Sequence, residues 1–365
     1  MLNSLNRSQL IALEAARRNH QRLCREHPLE QLFWECTLRC NLACRHCGSD
    51  CAKDLKATEM PLEDFLPVLD EIAQHVDPAT VLVNTIGGEP LVRRDIVECG
   101  AEIKRRGFQW GLVTNGFLLD EKMMQRLVNA GIDSMAVDID GTSDDHNWLR
   151  NNPHSFDRAM RAISLMKEVD GLEWDVITCV SSRNIGSLEQ IKQLLIEAGV
   201  RYWRCFTIVP MGRAAGLDEL QLTDQQFAQL LNFIVKTRIE GIIDLSYACE
   251  GFLGPYEGMV RDYFYGCDAG LTVASILSDG SISGCLSIRS DYHQGNIYRD
   301  SFWDVWNNRF GVYRDRSWMK RGICADCNMF DYCQGNGFHL RDAGGDVMLC
   351  HYNRLKNVKI KDTES

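Results

Sequence analysis

No stretch of this 365-residue chain approaches the ~18 consecutive apolar residues that a membrane span requires. The opening segment, Met1 to Glu30, is polar and helix-prone and lacks the apolar run of an export signal. Internal repeats, low-complexity tracts and long runs of like charge are missing too. Positive charge is in deficit: 40 Lys and Arg against 50 Asp and Glu leave a formal charge of −10. Nucleic-acid binding needs clustered cations, so no such partner is expected. These absences point to a cytoplasmic protein without a membrane partner. Hydrophobic content of 45% and charged content of 25% are those of an ordinary globular protein, long enough for two domains. Cysteine breaks the pattern. Sixteen are too many for a cytosolic protein without metal or redox work, and a reducing compartment disfavours disulfides.

Three of them lie in the run Cys40-Asn41-Leu42-Ala43-Cys44-Arg45-His46-Cys47. Three thiolates in one loop can hold three irons of a [4Fe–4S] cluster, whose ligation normally takes four cysteines. A triplet without a fourth partner leaves one iron open, which suits chemistry better than electron storage. Zinc is the competing ligand, but it prefers a closed set of four. Cys36, inside an apolar run, reads as a buried inert thiol, and nothing in the spacing of Cys51 recruits it.

This Cys-x3-Cys-x2-Cys spacing resembles the signature of the radical S-adenosylmethionine (radical SAM) enzymes, in which the open iron binds the methionyl group of SAM. Phe33-Trp34-Glu35-Cys36-Thr37-Leu38-Arg39 before it, and Gly87-Gly88-Glu89-Pro90 after a second apolar run, resemble the same family. The likeness covers roughly residues 30 to 351.

From residue 31 onward, β-rich apolar runs alternate with amphipathic helical stretches. Strands are predicted at 31–37, 80–86, 109–114, 133–139, 173–181 and 202–208. Between them, Phe65, Leu66, Leu69, Ile72 and Val76 mark one buried helix face. Such alternation implies parallel strands with crossover helices. The expected fold class is α/β, an open partial (β/α)6 TIM-like barrel, which the resemblance also implies. The domains divide as an N-terminal helical extension (1–30), the barrel (31–240) and a small cysteine-rich unit (241–365). Polar motifs follow each strand, and the C-terminal rim of such barrels carries the active site.

For SAM, Gly87 and Gly88 permit close backbone approach, and Glu89 adds a carboxylate near the methionine ammonium. The resemblance places His46 beside adenine and Arg150 on the SAM carboxylate, where a fork of donors suits the anion. Asn115 and Ser181 lie on the rim after the third and fifth strands, and Met211 after the sixth is placed against adenine or in the core. Asp138 departs from the family pattern: Ser-x-Asp-Gly reads Asp138-Ile139-Asp140-Gly141 here, with the aspartate offered to a ribose hydroxyl.

Cys267, Gly280 and Cys285, then Cys324-x2-Cys327-x5-Cys333, then Cys350, resemble the SPASM domain of radical SAM peptide and protein maturases. Asp279-Gly280 reads as the turn of a hairpin that aims Cys285. The resemblance assigns Cys324, Cys327, Cys333 and Cys350 to one auxiliary [4Fe–4S] cluster, with zinc as the alternative. A second cluster would keep only Cys267 and Cys285, because Gly337 stands where the pattern has a cysteine. Three outcomes stay open: recruitment of Cys249, His339 or His351; absence of the second cluster; or regrouping around one. One or two auxiliary clusters are therefore expected. The run Cys333-Gln334-Gly335-Asn336-Gly337 and Glu35 also resemble a subgroup associated with small lipoproteins.

The implied activity is reductive cleavage of SAM to a 5′-deoxyadenosyl radical that takes hydrogen from a peptide or protein, with a low-potential flavodoxin or ferredoxin as electron donor. Sulfatase maturation is a competing reading, but Leu286 occupies the place of that group's acidic base; Asp268 or Asp291 would have to substitute. Small-molecule or cofactor maturation is a third. A non-catalytic iron–sulfur electron carrier is the alternative of another class, and it leaves Gly-Gly-Glu-Pro and Arg150 without a purpose.

Overall fold

A computed structural model describes residues 5, 7–53, 59–248, 250–288, 291–356 and 358. The six predicted strands are present: β1 (Gln31–Thr37), β2 (Leu82–Gly87), β3 (Gln109–Thr114), β4 (Ser134–Asp138), β5 (Glu173–Val180) and β6 (Tyr202–Thr207). Four more follow: β7 (Asp244–Tyr247), β8 (Val273–Ile276), β9 (Ser281–Ser283) and β10 (Gly295–Asn296). All ten form one sheet in the order β10-β9-β8-β1-β2-β3-β4-β5-β6-β7. Strands β8 through β7 in that order run parallel, and the β8–β9–β10 end is antiparallel. The barrel sheet is thus longer than the six expected units. It also crosses residue 240, because β7 pairs with β6 and β8 with β1.

Helix α1 (Arg7–Glu26) precedes the sheet. The crossovers are α2 (Leu62–Ile72), α3 (Ile96–Arg105), α4 (Glu121–Asn129), α5 (Ser143–Arg150), α6 (Ser155–Lys167), α7 (Leu188–Ala198) and α8 (Asp224–Glu240). On α2, Phe65, Leu69 and Ile72 are fully buried, as their spacing predicts, and Phe65 stacks on Trp34 of β1 at 4.1 Å. Burying indole nitrogens demands partners. Threonines on the neighbouring strands supply them: Trp110 Nε1 donates to Thr85 Oγ1 (3.1 Å) and Trp203 Nε1 to Thr178 Oγ1 (2.8 Å). Gly100 on α3 leaves room for Trp110, whose ring lies 2.1 Å from where a Cβ would sit. Helix α8 starts on a capping box, Thr223 with Gln226, which ends the preceding loop sharply.

The hairpin is where the pattern placed it. Strands β8 and β9 pair through Ile276 and Ile282, and Gly280 takes a φ of 83° in the turn. No helix among the described residues is long and apolar enough to cross a membrane.

Candidate active site and cluster sites

The cysteine loop leaves the C-terminal end of β1 and returns across the rim. Cys40, Cys44 and Cys51 are buried with Leu42, and Cys47 packs against them. Loops after β2, β3 and β6 hold this one in place. Gly88 N donates to Thr37 O (2.7 Å) and Glu89 N to Arg39 O (2.9 Å). A Cβ on Gly87 would sit 2.1 Å from Thr37 O, and one on Gly88 2.2 Å from Arg39 O. Those two glycines therefore admit the backbone of the cysteine loop itself. After β6, Arg213 N donates to Cys47 O (3.0 Å) and Arg213 Nε to Cys44 O (2.8 Å).

Donors also face the sulfurs. Leu42 N is 3.5 Å from Cys40 Sγ, Asn115 Nδ2 3.8 Å from the same atom, and Arg150 Nη1 4.0 Å from Cys44 Sγ. Burial pushes the Cys40 thiol up to about 12 and raises Cys44, so bare thiolates here are costly and a bound iron would compensate them. Cys47 is lowered by a hydrogen bond from the Cys51 thiol. Cys51 therefore belongs to the loop's thiol cluster, although its spacing carried no signal.

Glu89 is fully buried. It accepts from Thr114 Oγ1 (2.7 Å), Asn115 N (2.7 Å) and Leu91 N (3.1 Å). The carboxylate thus clamps the β2 and β3 rim loops together. Burial outweighs those donors and pushes its pKa up to about 7. Arg150 lies 2.6 Å from Asp140 and 3.1 Å from Asp138, all three largely withdrawn from water. Burial opposes ionisation of both carboxyls; at Asp140 the Arg150 charge outweighs it and lowers the pKa, while at Asp138 burial wins.

His146 Nδ1 accepts from Asp140 N (3.0 Å), and Asn184 Nδ2 donates to Asp140 O (2.6 Å) while its Oδ1 receives Ser181 N (2.7 Å). Asn184 belongs to the rim motif Ser181-Ser182-Arg183-Asn184 after the fifth strand, whereas His146 carries no signal in the sequence and only tertiary contact reveals it. His46 is half-buried, with its pKa pushed down to about 4 by burial. Met211 is half-buried and caps the turn Gly212–Ala214 against the cysteine loop. His46, Asp140 and Cys179 place ligand atoms within 4.8 Å of one another, but Arg150 and Cys179 N already hold the Asp140 carboxylate.

In the C-terminal region, Cys324, Cys327, Cys333 and Cys350 line a single cavity of about 30 Å³. Arg341 Nη2 points at Cys324 Sγ from 3.5 Å. A zinc ion with Zn–S of about 2.3 Å would draw its sulfurs to about 3.8 Å from one another. Among the described residues, no three cysteine sulfurs converge within 4.8 Å, here or in the Cys40 loop.

Cys267 and Cys285 are half-buried near Tyr313. His351 is fully buried and packs on Phe227 with ring centroids 4.6 Å apart. Cys249 lies outside the described residues. Cys36 is the buried, inert thiol expected of it. Asp291 is 91% exposed beside His293, and Asp268 is exposed as well.

A thiol triplet on a barrel rim, braced by a Gly-Gly-Glu loop, defines a radical SAM enzyme. The chain matches the radical SAM superfamily over residues 34–195 and the iron–sulfur cluster-binding SPASM domain over residues 267–328. It belongs to the radical SAM enzymes with a C-terminal SPASM domain; its cofactors are a [4Fe–4S] cluster with SAM and auxiliary iron–sulfur. It is similar to the AdoMet-dependent heme synthase of Nitratidesulfovibrio vulgaris, 26% identical over 88% of this chain and 92% of that protein. It is also similar to the mycofactocin maturase MftC of Mycolicibacterium smegmatis, 27% identical over 83% of this chain and 76% of that one. Among solved structures, anSMEcpe with bound AdoMet superposes with a TM-score of 0.72 at 20% identity, covering 90% of this chain and 95% of that one. SuiB of Streptococcus suis bound to its precursor peptide SuiA gives 0.67 at 18% identity over 87% and 74%. At these identities the two structures bear on the fold alone.

Proposed function

We propose that the enzyme cleaves SAM reductively and uses the resulting 5′-deoxyadenosyl radical to take a hydrogen atom from a peptide or protein. The carrying observation is the loop of Cys40, Cys44 and Cys47, three thiols braced against the Gly87-Gly88-Glu89 loop. When bound there, a [4Fe–4S] cluster supplies the electron that splits the S–C5′ bond, leaving methionine and the radical. Asn115 and Arg150 aim donors at Cys40 and Cys44 and tune the site's electrostatics. Gly88, Asp138, Arg150 and the backbone at His46 are the groups offered to SAM, and Ser181 and Met211 complete the rim. Cys324, Cys327, Cys333 and Cys350 hold an auxiliary cluster. A reduced flavodoxin or ferredoxin fits as donor, since reducing a sulfonium needs a potential at the low end of the cluster range.

The maturase MftC, similar along most of this chain, supports a peptide substrate. Sulfatase maturation is disfavoured because Leu286, at the base's position, is a buried leucine. The heme synthase of Nitratidesulfovibrio vulgaris favours a second reading, a tetrapyrrole side chain, since the match covers 92% of its length. Against it, a net charge of −10 is a poor field for steering a polycarboxylate.

Anaerobically reconstituted, dithionite-reduced full-length enzyme with SAM is expected to form 5′-deoxyadenosine, and Cys44→Ala none. With a precursor peptide deuterated at the target residue, deuterium should appear in 5′-deoxyadenosine. Deuterium arriving only from a labelled tetrapyrrole would overturn the peptide reading, and absence of 5′-deoxyadenosine throughout would overturn the activity.

A further inference from the structure

Two thiols are too few to anchor a second auxiliary cluster, yet a further donor, His339, stands against Gly337, where the pattern has a cysteine. Gly337 opens the turn Phe338–Leu340, with Leu340 N donating to Gly337 O at 3.1 Å. That turn folds the His339 imidazole back over Gly337. A Cβ built on Gly337 would lie 2.8 Å from His339 Cε1, 3.0 Å from its Nδ1 and 2.9 Å from Tyr265 Oη. The ring therefore fills the volume that a cysteine side chain at 337 would take.

The same packing links the turn that carries His339 to the segments that carry the two thiols. Tyr265, against the ring, lies two residues before Cys267. Phe338 packs on Tyr313 with centroids 4.6 Å apart, and Tyr313 Oη lies 3.1 Å from Ser283 Oγ, two residues before Cys285. Arg316 stacks on Phe338 at 4.9 Å and donates through Nη2 to Cys267 O at 2.6 Å. Its Nη1 is buried without a hydrogen-bond partner. A buried, unpaired guanidinium N–H is costly. An inorganic sulfide is an acceptor that would satisfy it.

We propose that His339 is a protein ligand, through an imidazole nitrogen, of a second auxiliary iron–sulfur cluster held with Cys267 and Cys285. Imidazole is an accepted ligand of iron, and it replaces thiolates in some clusters, with a higher reduction potential as the consequence. The physical reason is charge: a neutral donor in place of a thiolate makes the cluster less negative and easier to reduce. Arg316 acts in the same direction. The inference does not depend on which substrate the enzyme takes.

Pulsed EPR of the reduced full-length protein tests it directly. Wild type should carry about twelve irons per chain, against about eight without this cluster. One reduced auxiliary signal should show a strong ¹⁴N coupling that converts to ¹⁵N on histidine labelling. His339→Ala should lose about four irons and the coupling together, and His339→Cys should regain the iron without the coupling. Eight irons in wild type, no nitrogen coupling, or full iron with coupling retained in His339→Ala would each overturn the assignment.

Discussion

Glu89 shows how one side chain can serve a site through its neighbours. Its carboxyl is wholly buried, and burial lifts its pKa to about 7 from an ordinary 4.5. Between those values the folded protein holds a proton that the unfolded chain has released, so stability falls as pH rises through the folded pKa. A group with that shift costs about 1.4 kcal/mol of stability between pH 6 and pH 8. Glu89→Gln cannot ionise, and its amide turns donors toward the N–H groups of Leu91 and Asn115. The variant should be less stable overall, and its stability should lose this part of the slope between pH 6 and pH 8. Denaturant titrations at the two pH values, compared with wild type, check this; an unchanged slope would show that Glu89 stays ionised.

At the scale of elements, α1 is more than an extension. Leu13 is 3% exposed and packs with Phe252, Tyr265, Met329 and Tyr352, so the helix closes over the cysteine-rich region. Leu13→Ala should cost about 2–5 kcal/mol, as deletion of a buried leucine does. Ile11, on the same helix but 63% exposed, should change stability by less than about 0.5 kcal/mol when replaced by alanine. Unfolding curves of the two variants, side by side, separate packing from helix propensity. Equal losses would mean that the helix matters only as a helix.

For the whole molecule, the sheet sets the cooperative unit. Residues beyond 240 supply both flanks of the barrel: β7 beside β6 and β8 beside β1. A chain ended at residue 240 would expose the buried, apolar edge of β1, and open hydrophobic edges aggregate. The truncated chain should therefore be insoluble or elute as aggregate in size-exclusion chromatography. A monomeric, folded fragment would instead support an autonomous barrel ending at 240.

The chain's local patterns determined a great deal. Alternating apolar runs place β1 through β6 within a residue or two, because burial on a pleated sheet is a short-range property of composition. The cysteine spacings single out the thiols that gather in the Cys40 loop and around the Cys324 cavity, because metal ligation demands its donors at short intervals on one loop. Other features were decided only when distant segments met. Cys51 joins the thiol cluster, Asn184 and His146 brace Asp140, and His339 fills the place left by Gly337 through contacts that no spacing encodes. Strands β7 and β8 are too short for a periodic signal of their own, and they became strands by pairing with edges that the barrel had already built.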